Sequence, residues 1–138
     1  MKSTKQSDIK RDWHKIDAKG QVVGRVSTQI AHLLMGKNKT YFTPTLDCGD
    51  YVVVVNAKNV EFSGKKEKQK LYYRHSGYPG GLRSKTPQKV RETKPEDLIR
   101  HAVIGMLPKN KMGKLMVKKL YIYPQTENPY SAKFAKSN

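Results

Sequence analysis

The sequence predicts an α/β fold, a single domain whose central sheet is mainly parallel. Its 138 residues are enough for one domain with a modest core. The stretch "WHKIDA" (residues 13–18) has the length of a strand, an amphipathic segment follows it, and "YVVVVNA" (residues 51–57) comes next. Four consecutive valines without polar alternation indicate a strand covered on both faces, which is typical of parallel sheets. Strand, helix and buried strand in this order predict a right-handed crossover.

The first elements follow a polar segment. Residues 1–10 are polar and charged, and we expect them to form an N-terminal arm ahead of a domain spanning residues 11–124. The first strand ends at a turn formed by Lys19 and Gly20. Apolar residues then recur at helical spacing, which predicts an amphipathic helix of about three turns with Gly36 as its C-cap. These apolar residues are Val26, Ile30, Leu33 and Leu34.

A basic segment follows the valine-rich strand. The short stretch "VEFSG" (residues 60–64) is strand-like, "KKEKQK" (residues 65–70) is charged, and "LYY" (residues 71–73) resumes strand character. A run this basic between two strands predicts an exposed connection. From residue 58 to residue 91 there are ten basic residues and two acidic ones, so the positive charge is concentrated here.

A second helix is predicted in "TKPEDLIRHAVIGMLP" (residues 93–108). Thr93 as N-cap and Glu96 three residues later suggest a capping box, and Pro108 ends the helix. A basic loop, "KNKMGK" (residues 109–114), leads into a short helical stretch and a last strand, "KLYIY" (residues 119–123). Residues 125–138 are polar and are expected to form a C-terminal tail. The apolar face of the second helix comprises Leu98, Ile99, Ala102, Val103, Met106 and Leu107.

The net charge indicates a polyanionic partner. The chain has 28 Lys and Arg against 11 Asp and Glu, a formal net charge of +17. Such an excess destabilises the compact state by self-repulsion, and phosphate backbones are the commonest polyanions that a protein meets. No apolar run approaches the roughly 20 residues that span a bilayer, so a membrane is not expected as a partner. The single cysteine, Cys48, cannot form an internal disulfide, which favours a reducing compartment such as the cytoplasm.

The sequence gives little support for catalysis. The four histidines lie in separate segments without metal-ligand spacing, and no glycine-rich phosphate-binding motif is present, so neither a metal, a cofactor nor a small-molecule substrate is expected. Asp47 and Asp50 would raise the pKa of a thiol at Cys48, so we expect a small packed cysteine. One enzymatic alternative remains, in which His75 acts as acid or base with Tyr72 or Tyr78.

The stretch "KLYYRHSGYPGGLRSK" (residues 70–85) fits RNA binding better. Its glycines allow the backbone to approach a sugar-phosphate closely, and its tyrosines are suited to stack on splayed bases. By strand alternation Tyr72 and Tyr73 point in opposite directions, so at most one of the two is expected to be exposed. Several basic loops match RNA of defined shape better than a groove-reading DNA helix does.

Four motifs in uninterrupted order carry a resemblance to a known family. They are "RDWHKIDAKGQVVGRVST", "GKNKTYFTPTLDCGDYVVVVNA", "YYRHSGYPGG" and "GMLPKNKMGKLMVKKLYIY", and they cover residues 11–123. Together they resemble large-subunit ribosomal protein thirteen in its bacterial or organellar form. The resemblance implies a three-layer α/β/α domain around a mainly parallel sheet of about four strands. It also implies direct binding to large-subunit rRNA of the 23S type, neighbouring large-subunit ribosomal proteins as partners, early entry into subunit assembly, and no catalysis.

The family's motifs map onto two loops of this chain, around residues 75–81 and 105–114, and the sequence departs from the family's pattern at a few positions. Ile104 stands where the family often has a basic residue. After Pro124, residues Asn128, Tyr130 and Lys133 stand where many members carry two histidines and a glutamine. Charge and motifs together predict one set of RNA-binding residues: Arg25, Lys37, Lys39, Lys65, Lys66, Lys68, Lys70, Arg74, His75, Tyr78, Gly80, Gly81, Arg83, Lys85, Lys109, Lys111 and Lys114.

Overall fold

The computed structural model describes residues 5–126 and residue 129. Part of the predicted N-terminal arm and nearly all of the predicted C-terminal tail, including Asn128, Tyr130 and Lys133, lie outside these residues. The strands are β1 (Trp13–Asp17), β2 (Tyr51–Val55), β3 (Tyr72–His75), β4 (Leu82–Lys85) and β5 (Leu120–Ile122). The helices are α1 (Val23–Met35), α2 (Lys66–Gln69), α3 (Pro87–Thr93), α4 (Glu96–Met106) and α5 (Lys111–Val117). No helix within the described residues is long and apolar enough to cross a membrane.

The central sheet has the order β1-β2-β5, and both strand pairs are parallel. This arrangement confirms the α/β class and the mainly parallel sheet. Among the described residues the sheet has three strands instead of about four. The predicted strand "VEFSG" contributes only an isolated parallel bridge between Val22 and Glu61, because the chain turns away at Gly64, whose φ is +63°.

Strand β2 is covered on both faces, as its four valines predict. Val52 and Val54 face the main apolar core, to which α1, α4 and α5 contribute. On the opposite face Val53 and Val55 are also fully buried. By register, that face carries aromatic rings from all three strands, with the Trp13 and Tyr51 rings stacked 4.5 Å apart. Two-sided coverage explains why no polar residue alternates with the valines.

Helix α1 forms as its spacing predicts and ends at Gly36, which adopts a left-handed φ of 77°. The backbone N–H of Gly36 donates to the His32 carbonyl, satisfying one of the otherwise free carbonyls at the end of the helix. The buried face of the helix packs mainly against α4 and β2. This face comprises Val23, Val26, Ser27, Ile30, Ala31 and Leu34.

The predicted capping box of the second helix is wrong. Thr93 is the last residue of α3, a helix that the sequence analysis did not predict, and its hydroxyl donates to the Lys89 carbonyl. Helix α4 begins at Glu96 after Pro95. A proline disfavours the helical conformation of the residue before it, which explains the break at Lys94. Met106 was predicted to face the core, yet it is 42% exposed.

Candidate nucleic-acid interface

Strands β3 and β4 form an antiparallel hairpin that packs mainly on itself. Its side chains are exposed except at Tyr72, and its tip is a six-residue loop, residues 76–81. The Ser76 N–H donates to the Gly81 carbonyl, and the Gly77 N–H donates to Nδ1 of His75. Gly77 has a φ of +89°, a conformation that other residues rarely adopt. The motif predicted to bind RNA is therefore a projecting, internally bonded ribbon.

The hairpin has one anchored tyrosine and two exposed ones. The Tyr72 ring makes an edge contact with the His101 ring on α4, 4.9 Å between centroids, and burial raises the pKa of its hydroxyl. Tyr73 is 66% exposed and Tyr78 is 75% exposed. This confirms that at most one of Tyr72 and Tyr73 is exposed. Tyr73 was not among the predicted site residues, because strand alternation alone does not say which of the two faces solvent.

The basic run of residues 65–70 contains the short helix α2. Glu67 in this helix accepts two hydrogen bonds from the Arg91 guanidinium, both 2.9 Å long, and Arg91 also donates to the Lys58 carbonyl. These contacts tie α2 to α3 and to the end of the central sheet. Beside these Arg91 contacts the lysines of the segment are exposed, namely Lys65, Lys66, Lys68 and Lys70.

The second basic loop is held by the start of α5. The Asn110 side chain accepts a hydrogen bond of 3.0 Å from the Gly113 N–H and so caps the helix. Gly113 packs so closely on Pro108 that a Cβ would lie 1.8 Å from the Pro108 carbonyl oxygen. Lys109 precedes the cap, whereas Lys111 and Lys114 lie in the first turn of α5 and not in a loop as predicted; all three predicted RNA-binding residues are exposed.

The remaining predicted residues do not form one patch. Arg25 lies in the first turn of α1 and Lys37 follows its last turn, so about 18 Å of helix separates them. Both are exposed. Lys39 instead points inward, where its side chain is only 14% exposed and its Nζ lies 3.0 Å from Oδ1 of Asp50. Burial alone would lower the pKa of Lys39, but the hydrogen bond and charge of Asp50 outweigh it and raise the pKa.

Sequence reasoning missed a buried ionic network at the amino-terminal edge of the parallel sheet. Asp50 accepts a hydrogen bond from the Asp12 N–H and pairs with Lys39 and with the His14 ring, whose Nε2 lies 2.8 Å away. Burial would raise the pKa of Asp50, but these partners together lower it. The residues are far apart in sequence, and the only local signal is an acid directly before a buried strand.

Asp47, which lies in the same loop as Asp50, pairs with Lys119, the residue just before β5. Asp47 lies 2.5 Å from Nζ of Lys119, whose pKa is lowered by burial in spite of that carboxylate. Lys119 also donates to the Leu34 carbonyl at the end of α1. Arg11 donates to the backbone carbonyls of Asp47 and Gly49. This network fixes residues 37–50, which carry the exposed Lys37.

The exposed cations at the ends of α1 and around α2 lie at two different edges of the sheet. Helix α1 starts after the carboxyl end of β1, and the contact of Arg91 with Lys58 places α2 and α3 beyond the carboxyl end of β2. Arg25 and the lysines of residues 65–70 therefore belong to the carboxyl edge. Lys37 precedes β2 and belongs to the amino edge. All predicted lysines and arginines other than Lys39 are exposed and form no ion pair within the described part of the chain.

The geometry offers no enclosed catalytic site among the described residues. One open cleft of about 700 Å³ lies at the carboxyl edge, with Phe62 among its lining and Arg91 already paired with Glu67. His75 is exposed, and its Nδ1 is occupied by the Gly77 N–H. No group of three potential metal ligands occurs among residues 5–126 and residue 129. Cys48 is fully buried, as expected for a packed cysteine.

Comparison with known proteins identifies the family. The family model described as Ribosomal protein L13 matches residues 11–129. The chain belongs to the ribosomal protein L13 family. Three relatives named large ribosomal subunit protein uL13 are similar over most of the chain. The protein from Helicobacter hepaticus is 54% identical, covering 96% of this chain and 94% of the relative.

Two further relatives in the ribosomal protein L13 family give the same result. The protein from Syntrophotalea carbinolica is 51% identical, with 93% of this chain and 90% of the relative covered. The protein from Geobacter sulfurreducens is 49% identical, with 99% and 98% covered. The resemblance found in the four sequence motifs is therefore confirmed. Since this is a family of ribosomal structural proteins not known as enzymes, the acid-base alternative at His75 is set aside.

Proposed function

We propose that this ribosomal protein binds large-subunit rRNA of the 23S type directly, through basic side chains on separate loops, and takes part in early assembly of the subunit. Family membership makes it a structural constituent of the large subunit and not an enzyme. As a bacterial-type ribosomal component it works in the cytoplasm, beside neighbouring large-subunit proteins. We assign RNA binding to residues 11–124, with residues 1–10 and 125–138 as an arm and a tail.

One observation carries the proposal: the cations divide into two classes. Arg11, Lys39, Arg91 and Lys119 pair with acids inside the domain. The predicted RNA-binding lysines and arginines other than Lys39 are exposed and have no acidic partner within the described residues. Exposed cations without partners are the groups that neutralise phosphates and release counterions, which supplies much of the affinity for RNA.

The fixed positions of the basic loops make RNA binding selective for RNA shape, beyond the effect of charge. The Glu67–Arg91 pair, the Asn110 cap and the Asp50 network hold the basic loops in fixed relation to the sheet. Loops fixed in this way bind an RNA whose phosphates match their spacing, and they bind RNA of another shape less tightly. The protein would therefore favour folded large-subunit rRNA segments over RNA of equal length and charge.

The experiment is to measure affinity for large-subunit rRNA fragments and for small-subunit rRNA of matched length, each across a salt series. We expect a slope corresponding to several phosphates and a clear preference for the large-subunit fragments at physiological salt. Equal affinity for both RNAs would contradict the proposal. The variant His75→Gln should weaken binding without abolishing it, because the imidazole contributes one contact among many.

A further inference from the structure

Arg74 and Arg83 lie directly opposite each other in the β3–β4 hairpin. Cross-strand partners in an antiparallel pair share a face, so the two guanidinium groups project to the same side. Both side chains are exposed, and neither has an ion pair within the described residues. Like charges at directly opposed positions destabilise a strand pair, so this arrangement is unfavourable in the free protein.

The same face of the hairpin carries further positive charge. By alternation it includes Lys85 and Tyr72, which are paired with each other at the base of the hairpin. Nζ of Lys70 lies 5.2 Å from the centre of the Tyr72 ring, so a fourth cation, after Arg74, Arg83 and Lys85, borders this face. The opposite face carries Tyr73, His75, Leu82 and Ser84 and has no lysine or arginine. The hairpin therefore has one cationic face and one aromatic and apolar face.

We propose that Arg74 and Arg83 bind a single phosphate group of the RNA backbone between them, as a two-arginine clamp. This inference rests on the proposed function and adds the ligand group and the residues that hold it. A planar guanidinium donates two parallel hydrogen bonds to phosphate oxygens, and two of them on one face can grip the same group from both sides. The phosphate also removes the repulsion between the arginines, so the two side chains act as a unit.

The test is a double-mutant cycle on affinity for a large-subunit rRNA fragment at one salt concentration. We expect Arg74→Gln and Arg83→Gln each to weaken binding about tenfold, and the double variant to be only slightly weaker than either, because the clamp needs both arms. Effects that multiply, about a hundredfold in the double variant, would overturn the proposal. As a matched control, Lys109→Gln, an exposed predicted RNA-binding lysine outside the hairpin, should combine multiplicatively with Arg74→Gln.

A second readout does not depend on rRNA and so separates the clamp from the proposed function. Hydrogen exchange of the Ser76 amide reports on hairpin closure, because this amide donates to the Gly81 carbonyl. We expect inorganic phosphate to slow this exchange in the wild type and not in the double variant, compared at equal ionic strength. The same slowing in both proteins would refute the clamp. A wild type that binds both RNAs equally would instead refute the proposed function.

Discussion

At the scale of single residues, buried acids decide which cations remain free. Asp50 is 1% exposed, and it is stabilised by Lys39, His14 and the Asp12 N–H. A buried carboxylate is tolerated only with partners of this kind, because the loss of its hydration costs several kcal/mol. The result is that Lys39, which the sequence analysis placed among the RNA-binding residues, already has an anionic partner. Its contact with RNA stays a prediction.

We expect Asp50→Asn to lower the free energy of unfolding by about 2 kcal/mol at pH 7, because it leaves the largely buried Lys39 without its main counter-charge. The pKa of Asp50 is lowered from 3.8 in the folded protein. Its contribution is therefore fully present above that pH and is lost as the pH falls through the folded value. Urea unfolding across a pH series measures both effects.

The difference in the free energy of unfolding between the wild type and Asp50→Asn should accordingly become smaller at acid pH. A difference that stays constant down to about pH 2 would show that the carboxylate charge is not the stabilising group. Glu92→Gln is the control, since Glu92 is exposed on α3 and should change stability little at any pH.

At the scale of secondary-structure elements, local signals located the strands of the central sheet, β3 and the helices α1, α4 and α5. They did not predict α2, α3 or β4, and they misplaced the start of α4. The segment of residues 87–93 forms α3, although the sequence analysis assigned Thr93 to the start of the next helix. Pro87 stands at the first helical position of α3, where proline is a common start signal. Helix α4 has no side-chain cap. A side-chain cap occurs instead at α5, where Asn110 accepts a hydrogen bond from the Gly113 N–H.

Two alanine substitutions test this assignment. We expect Thr93→Ala to change the free energy of unfolding by less than about 0.5 kcal/mol, because its hydroxyl only bonds back to carbonyls of its own helix. Asn110→Ala should cost about 1 kcal/mol, because it leaves a helix N–H without its acceptor. Chemical denaturation measures both variants. The reverse order of the two effects would mean that Thr93 caps α4 after all.

The β3–β4 hairpin makes few contacts with the rest of the domain. Its base is held by the Tyr72 contact with His101, and most of its length is exposed. A two-stranded hairpin alone is marginally stable in water, so its shape depends on the turn bonds and on a partner surface. This is consistent with the proposal that RNA supplies the partner surface of the hairpin.

At the scale of the whole molecule, positive charge is arranged at separate places around the central sheet. The parallel sheet and α1 separate the cations of the carboxyl edge from Lys37 at the amino edge. An arrangement of this kind is suited to bridge RNA segments that come together during assembly. Fixed spacing, and not the sum of charges alone, then distinguishes one folded RNA from another.

We expect the two basic loops to contribute separately to the salt dependence of rRNA binding. Replacing Lys109, Lys111 and Lys114 by Gln should reduce the slope of log affinity against log salt by about 0.7–0.9 for each phosphate that the variant no longer neutralises. Replacing Lys65, Lys66 and Lys68 should do the same independently. An unchanged slope in either triple variant would remove that loop from the interface. Lys15→Gln and Lys89→Gln serve as exposed controls outside the loops.

A large part of the fold could be predicted because it rests on local patterns. Helix α1 with its cap at Gly36, the two-sided burial of β2 and the last strand β5 all follow from spacing and residue type. The predicted strand at residues 60–64 forms only one bridge, because the chain turns away from the sheet at Gly64. Motif order also sufficed to identify the family.

The sequence by itself determined the fold class, the family and the excess of positive charge, since each depends on composition or on short-range pattern. Only the tertiary structure decided which cations are free. Lys39, Arg91 and Lys119 look like their exposed neighbours in the sequence, yet Arg91 and Lys119 meet acids from distant segments, and Lys39 meets Asp50 only because the loop between them folds back. It likewise decided that Arg74 and Arg83 share one face, because strand register depends on pairing across the hairpin. Long-range contacts of this kind leave no local trace in the chain.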